Sequence, residues 1–532
     1  MAVSIYESYP PQISPEQEAY LVQTIKNWCI QHGLTVRPNF LSDEVNRNHV
    51  LATNAPVTLF PSPFPQACFD QAKDLQQVYN ELYAAIASDE AWLEEIMREL
   101  IEVDDFLANL WKIHLAVKEE GYVQDISLGM FRSDYMLNSP EDSSTPSLKQ
   151  VEFNTISSSF GGLSLLVARM HTELATFPSG NSIAYPPHAL FDNTKDKPFI
   201  TSGHPPPNTS VPTLATSLFA GHLAYGPSKT SHPLCILFLV QDNERNIFDQ
   251  LALSTHLQTE LGVPSFRLPV SRILTDTQIP SKESHPSRPL LYMPPSSPST
   301  IFEVSVVYFR ALYAPTEYDT PTSWAARHHL ERSSAIKCPS ILLHLSGSKK
   351  IQQVLTSKPP GPDHLSRFLP NASSSTIESL RSTFAPQYSL SPGSEGLSIA
   401  LSAKSQNHVL KPQREGGGNN IYRDKITPFL KSIPDREYSQ YILMELINPP
   451  EAAKNTVLRS DGEVVRGNVI SELGIFGTCL WKNNQGSSKP EILHNTEGGY
   501  LMRTKGKESD EGGVAAGFSS LDSLILYEEA NP

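Results

Sequence analysis

The stretch Val151-Glu152-Phe153-Asn154-Thr155 puts a carboxylate and a carboxamide two residues apart. In an extended strand such residues share a face, and their hard oxygens suit Mg²⁺. The same pair also suits the solvated face of an edge strand. Ser157, Ser158 and Ser159 follow, then Gly161 and Gly162. Hydroxyls and loop amides of this kind can meet a carboxylate or a phosphate, or form a plain polar turn.

A second candidate is Lys-Pro-Gln-Arg-Glu-Gly-Gly-Gly-Asn-Asn, residues 411–420. Triple glycine serves linkers, and it also lets backbone N–H groups approach a phosphate closely. No Gly-Lys-Ser/Thr closes a Walker A loop, and the spacing is not that of a Rossmann fingerprint. A linker, however, requires none of the neighbours present. Lys411 precedes the glycines, Glu415 abuts Gly416, Gly417 and Gly418, and Asn419 and Asn420 follow. Lys411 can meet phosphate as a point charge and Glu415 can add a Mg²⁺ oxygen, which favours the phosphate loop.

Cations recur at strand-like ends. Arg503 and Lys505 alternate onto one face, and the flexible run Glu508–Gly517 follows them. They form either a site for paired anions or a surface hairpin. Arg132 and Arg310 each close an apolar run; arginine there is a carboxylate fork or a snorkelling edge residue. The polar segment Asn243–Gln250 comes just after an apolar run, where α/β units commonly place ligands and where helix capping also puts polar residues. No serine, cysteine or histidine triad is evident among the scattered histidines, and His328–Arg332 reads as a polar helix face.

The chain that must hold these groups has 532 residues, 39% hydrophobic and 18% charged, as in soluble globular proteins. Its formal net charge of −14 opposes broad binding to nucleic acid or an anionic membrane. The five cysteines are scattered without any Cys-x-x-Cys, which fits a reducing cytosol. The start MAVSIYESYPPQ lacks the basic and apolar regions of a signal peptide, and no apolar run is long enough to span a bilayer.

Ser14-Pro15-Glu16-Gln17 predicts a capped helix start, with Leu21, Ile25, Trp28 and Cys29 at helical spacing and Gly33 as the stop. Residues 66–120 read as two or three further helices, and 128–137 and 148–156 alternate as strands. Residues 178–232 are rich in Pro, Ser, Thr and Gly, an irregular insertion with a helix over 213–224. The strand-helix-strand order of 235–240, 247–261 and 304–309 predicts a parallel α/β unit within 234–345. A Pro/Ser cluster at 280–300 reads as an exposed loop. From 408 onward, strands alternate with Gly-rich turns in an antiparallel-leaning region.

Seven segments in order resemble eukaryotic glutathione synthetases, ligases of the ATP-grasp family: 150–163, 243–250, 306–313, 411–422, 441–447, 471–477 and 501–517. The resemblance covers nearly the whole chain apart from its Pro/Ser-rich stretches. It implies an α/β fold: a circularly permuted ATP-grasp body, an inserted parallel α/β substrate-binding subdomain and a Gly-rich lid. Residues 1–232 would give the N-terminal helical and body segment, 233–347 the subdomain, and 348–532 the rest of the body and the lid.

The implied reaction joins γ-glutamylcysteine and glycine through an acyl phosphate, giving glutathione, ADP and phosphate, in a cytoplasmic homodimer. By motif position, Glu152, Asn154 and Glu415 would hold Mg²⁺. Lys349, Lys411, the loop through Asn420, Tyr422, Met444, Glu445, Ile447, Glu472, Lys505 and Glu511 would surround ATP. Arg132, Ser157, Ser158, Ser159, Glu244, Arg245, Asn246, Gln250, Arg310, Tyr313, Arg503, Val514 and Ala515 would contact peptide or glycine, with Arg132 and Arg503 at the reacting groups. Arg423 departs from the small residue common in the family at that position. Two alternatives share the motifs: a ligase with another acceptor, such as β-alanine or serine, and a non-catalytic ATP- or peptide-binding regulator. Positioning and charge neutralisation are the protein's main tasks in acyl-phosphate chemistry. A motif set rich in oxygens, cations and glycines, without a nucleophile, matches that demand.

Overall fold

Ser14 opens the first helix, Pro15–His32, through the expected reciprocal cap with Gln17, and Gly33 closes it in the left-handed region at φ 75°. The computed structural model describes residues 6, 9–38, 45–46, 50–139, 145–176, 185, 204–357, 361–415, 418–484, 489–508, 514 and 519–528. Of the 178–232 insertion, residues 178–184 and 186–203 lie outside them. The helix expected at 213–224 runs Ser210–Tyr225.

Residues 66–120 resolve into the helices Gln66–Ser88, Glu90–Met97 and Asp105–Glu120. The breaks follow from local capping: Asp89 accepts from the Trp92 N–H and Asp104 from the Leu107 N–H. A side-chain oxygen that satisfies an otherwise unpaired N–H starts a new helix there.

Among the described residues the central sheet has seven strands, in the order Lys454–Leu458, Val57–Thr58, Ser520–Asp522, Glu491–Gly506, Val464–Lys482, Ile126–Asn138 and Ser147–Asn154. The last four pair antiparallel. The C-terminal strands therefore flank the two strands read at 128–137 and 148–156. One face packs on the Gln66–Ser88 helix, whose Tyr79 and Tyr83 stack on Phe153.

The expected parallel unit is present. Leu234–Val240 lies between Ser265–Pro269 and Phe302–Phe309, and Ile336–Cys338 extends it, all parallel. Two short antiparallel strands, Thr277–Gln278 and Leu291–Tyr292, complete one edge. The 280–300 segment is not uniformly exposed. Arg288 is buried and pairs with Glu120 at 2.9 Å, and Leu290 is buried beside it. A buried guanidinium with a carboxylate partner anchors what composition alone read as a surface loop.

A smaller antiparallel sheet has the order Gln387–Ser389, Tyr441–Glu445, His408–Pro412 and Ile421–Tyr422. Its Leu410 and Leu443 bury against Ile426, Leu430 and Tyr438, while Val409 and Met444 face the other way with Tyr422, Leu446 and Ile447. Among the described residues, all five cysteines are free and buried, and no helix is long and apolar enough to cross a membrane.

Candidate active site

Charged side chains cluster on part of one face of four neighbouring strands in the central sheet. Register places Asn154 opposite Arg132 and Glu152 opposite Asp134. The next strand sets Gly474 opposite Asp134, and Glu472 lies opposite Arg503 on the strand beyond. Alternation puts Phe153, Phe131 and Tyr135 on the far face in the apolar core, so the charged set is the remainder of a period-two pattern. Gly474 is required by the crowding: a Cβ there would lie 2.7 Å from Arg132 Cδ and 2.8 Å from Asp134 Oδ1.

Glu152 and Glu415, distant in the chain, meet on one ammonium. Lys349 Nζ is 3.0 Å from Glu152 and 3.3 Å from Glu415. Lys411, also buried, donates to the Val151 carbonyl at 2.9 Å. Burial opposes ionisation of Glu152, yet Lys349 and Lys411 outweigh it and hold the carboxyl below its usual range. Glu415 is pushed up instead, first by burial, with Glu152 as a like-charged neighbour, against the pull of Lys349. Burial would lower the Lys349 pKa, but the two carboxylates raise it overall.

This donor set fits Mg²⁺ in kind. The carboxylates already share a cation, and both are oxygen donors. Asn154 spends Nδ2 on the Arg132 carbonyl at 3.1 Å and on Asp134 at 2.9 Å, which leaves Oδ1 for another partner. Among the described residues no group of three or more His, Cys, Asp or Glu could hold a metal ion, so phosphate or water oxygens would complete the shell.

A cavity of about 1220 Å³ opens over this face. Arg132, Glu152, Asn154, Glu415, Arg503 and Lys505 line it on the sheet side. Ser157, Ser158, Ser159 and Val514 also line it, as do Glu244, Arg245, Asn246, Arg310 and Tyr313 from the parallel unit. Buried Lys349, Lys411 and Gln250 and partly buried Glu472 stand behind the wall. Met444, Glu445, Ile447 and Tyr422 sit instead on or beside the smaller sheet. Gly418 (φ 96°) and Asn419 are exposed at its tip, and Asn420 Nδ2 donates to the Tyr422 hydroxyl at 3.2 Å. Arg423 holds φ 53°, a left-handed value that side chains seldom adopt. Gly416, Gly417, Glu511 and Ala515 lie outside the described residues.

Several expected contact groups are already engaged. The Ser157 hydroxyl donates to the Phe309 carbonyl at 3.0 Å and the Ser158 hydroxyl to the Met130 carbonyl at 3.3 Å. Ser157 and Phe160 both hold left-handed φ values, 53° and 73°, so strain is stored in this loop. Gln250 and the Asn246 N–H both donate to Glu244, and Arg267 donates to Gln250 Oε1 at 2.9 Å. Tyr313 accepts from Gln241 at 3.1 Å.

The arginines, expected as free forks, are each held by an internal carboxylate. Arg132 binds Asp134 through two bonds of 2.6 and 2.8 Å. Arg503 reaches Asp134 at 2.9 Å and also Glu472. Arg310 meets Asp249 at 3.1 Å. Asp249 also accepts from the Phe160 and Gly162 N–H groups at 2.9 and 2.7 Å, tying the serine loop to the Ile247–Thr259 helix. Sequence reading missed Asp134 and Asp249. Only Asp134 had a local signal, since it stands two residues from Arg132 and so shares its face.

Fold and cavity together bring carboxylates, lysines and arginines from the central sheet, the smaller sheet and the parallel unit to one place. The model of the eukaryotic glutathione synthase ATP-binding domain matches residues 15–526. The chain is 36% identical over 536 residues to the glutathione synthetase large chain of Schizosaccharomyces pombe, covering 97% of this chain and 99% of that one. It is 38% identical over 473 residues to the glutathione synthetase of Homo sapiens, covering 88% and 89%. Among solved structures, a glutathione synthetase-like effector of Globodera pallida in apo form superposes with a TM-score of 0.70 at 20% identity, over 97% of this chain and 98% of that one. The chain belongs to the eukaryotic glutathione synthase family.

Proposed function

We propose that the protein is a glutathione synthetase, joining γ-glutamylcysteine to glycine as ATP becomes ADP and phosphate. The observation that carries this is the convergence of Glu152 and Glu415 on Lys349, from a strand of the central sheet and from the glycine-rich loop. A carboxylate does not condense with an amine in water because oxide is a poor leaving group. In this reading the cysteinyl carboxylate attacks the γ-phosphorus and ADP leaves. The glycine amine then attacks the acyl phosphate carbonyl and phosphate leaves with the transferred oxygen.

The protein's work is placement. Val409 and Lys411 alternate onto one face of the smaller sheet, and Met444 lies opposite Val409. The apolar patch there suits the adenine, and Lys411 and Lys349 then fall beside the phosphates. Glu152, Asn154 and Glu415 would hold Mg²⁺, whose chemistry when bound is charge neutralisation on the phosphate oxygens. Arg132, Arg310 and Arg503 face the cavity that would take the peptide and glycine carboxylates. Glu244–Asn246, Gln250, Tyr313, Val514 and Ala515 would complete that pocket. In the same reading the body, 1–232 with 348–532, is a permuted ATP-grasp fold with the inserted subdomain 233–347. Loops 416–418 and 512–517 would serve as lids that keep water from the acyl phosphate. The enzyme works as a cytoplasmic homodimer.

The test is phosphate release with γ-glutamylcysteine alone, glycine alone and both. Release that needs both partners supports the reading. Release indifferent to them, or a preference for β-alanine or serine over glycine, refutes it.

A further inference from the structure

Asp134 has no part in the reading above, yet four side-chain hydrogen bonds meet on it. It is fully buried. Its Oδ1 accepts from Arg132 Nε at 2.6 Å, and its Oδ2 accepts from Arg132 Nη2 at 2.8 Å, Arg503 Nη2 at 2.9 Å and Asn154 Nδ2 at 2.9 Å. Three side chains from three different strands thus converge on one carboxylate. A buried carboxylate is tolerated only when compensated, and here the compensation orders its partners in return. Two guanidiniums that would repel each other are held together by the negative charge between them. Long arginine side chains otherwise lose rotamer freedom when they grip a ligand, and a preformed fork avoids that loss.

We propose that Asp134 is a positioning residue: it fixes the cavity-facing edges of Arg132 and Arg503, so that the substrate-carboxylate site is preformed. The proposal rests on the glutathione synthetase reading. Gly474 belongs to the same device. It stands opposite Asp134, and any Cβ there would press on both Arg132 Cδ and Asp134 Oδ1. The hub is reached by two independent perturbations: removing its charge, and displacing it sterically without changing any charge.

The test compares wild type, Asp134→Asn and Gly474→Ala. Each substrate is varied in turn, thermal midpoints are recorded, and γ-glutamylcysteine binding to the protein free of metal and nucleotide is measured by calorimetry. For both variants the KM and the calorimetric Kd for γ-glutamylcysteine are expected to rise at least about tenfold, while the KM for ATP moves less than about threefold. Unchanged dipeptide KM and Kd in both variants overturn the proposal. So does an equal rise in all KM values with a fallen thermal midpoint, the mark of a merely structural role. If Asp134→Asn does not fold, Gly474→Ala decides by the same criteria. A wild type that binds the dipeptide but makes no glutathione overturns the functional reading alone, and the calorimetric arm still judges Asp134.

Discussion

Tyr83 lies flat against Phe153, with ring centroids 3.9 Å apart and planes 12° from parallel. Phe131 and Tyr79 close on the same ring at 5.2 and 5.6 Å. Phe153 stands between Glu152 and Asn154 in the chain and points to the other face, so this stack is the floor beneath the charged cluster. Phe153→Ala is expected to cost about 3–5 kcal/mol of folding stability through the cavity it leaves. Urea denaturation followed by circular dichroism reads that loss, and Phe153→Leu should lose distinctly less.

Glu415→Gln should lower glutathione formation by about two orders of magnitude or more, the scale seen when a group that stabilises the transition state is removed. The fold should survive. Burial and Glu152 already oppose the charge on Glu415, so a neutral side chain relieves as much as it removes. Product formation measured with the thermal midpoint separates the two effects, and full activity in this variant ends the metal-binding role assigned to it.

His171 is buried and neutral: Nε2–H donates to the Thr58 carbonyl at 2.9 Å and Nδ1 accepts from the Ser523 hydroxyl at 2.7 Å. Burial lowers its pKa from 6.5 to about 4, so the unfolded chain binds the proton more readily over that window. Stability tied to His171 is therefore complete above pH 6.5 and lost as pH falls toward 4, by up to about 3 kcal/mol. Thermal midpoints across pH 4–7 should fall more steeply for wild type than for His171→Gln, which has an N–H to donate to the Thr58 carbonyl and cannot titrate.

Asp249→Ala would leave Arg310 and the Phe160 and Gly162 N–H groups without their shared acceptor. Breaking a buried pair of this kind costs about 3–5 kcal/mol. Chemical denaturation should show that loss. Gly162→Ala should also destabilise, because a Cβ there would lie 2.8 Å from both the Asp249 carbonyl and the Ala252 side chain.

Much of this molecule is legible in the chain because strand and helix periods are local. Ser14, Gln17 and Gly33 announce a helix within a single turn at each end. Glu152 and Asn154 share a face by alternation alone, and the apolar runs at 235–240 and 304–309 declare parallel strands. The motif order along 150–517 was enough to recognise the family.

Partnership between distant segments is legible only through the resemblance, which puts Glu152 and Glu415 at one Mg²⁺ and Lys349 at the ATP beside it. No local pattern brings Glu152 and Glu415 to Lys349, since that depends on how the smaller sheet sits over the central one. The arginines read as free forks, yet sheet order sets Arg503 beside Asp134 through the intervening Val464–Lys482 strand. Arg288 read as loop surface until Glu120 of a distant helix buried it. Composition and period determine which face of an element is charged. Which charges then neutralise one another is decided by register and layer contact, where desolvation makes pairing obligatory.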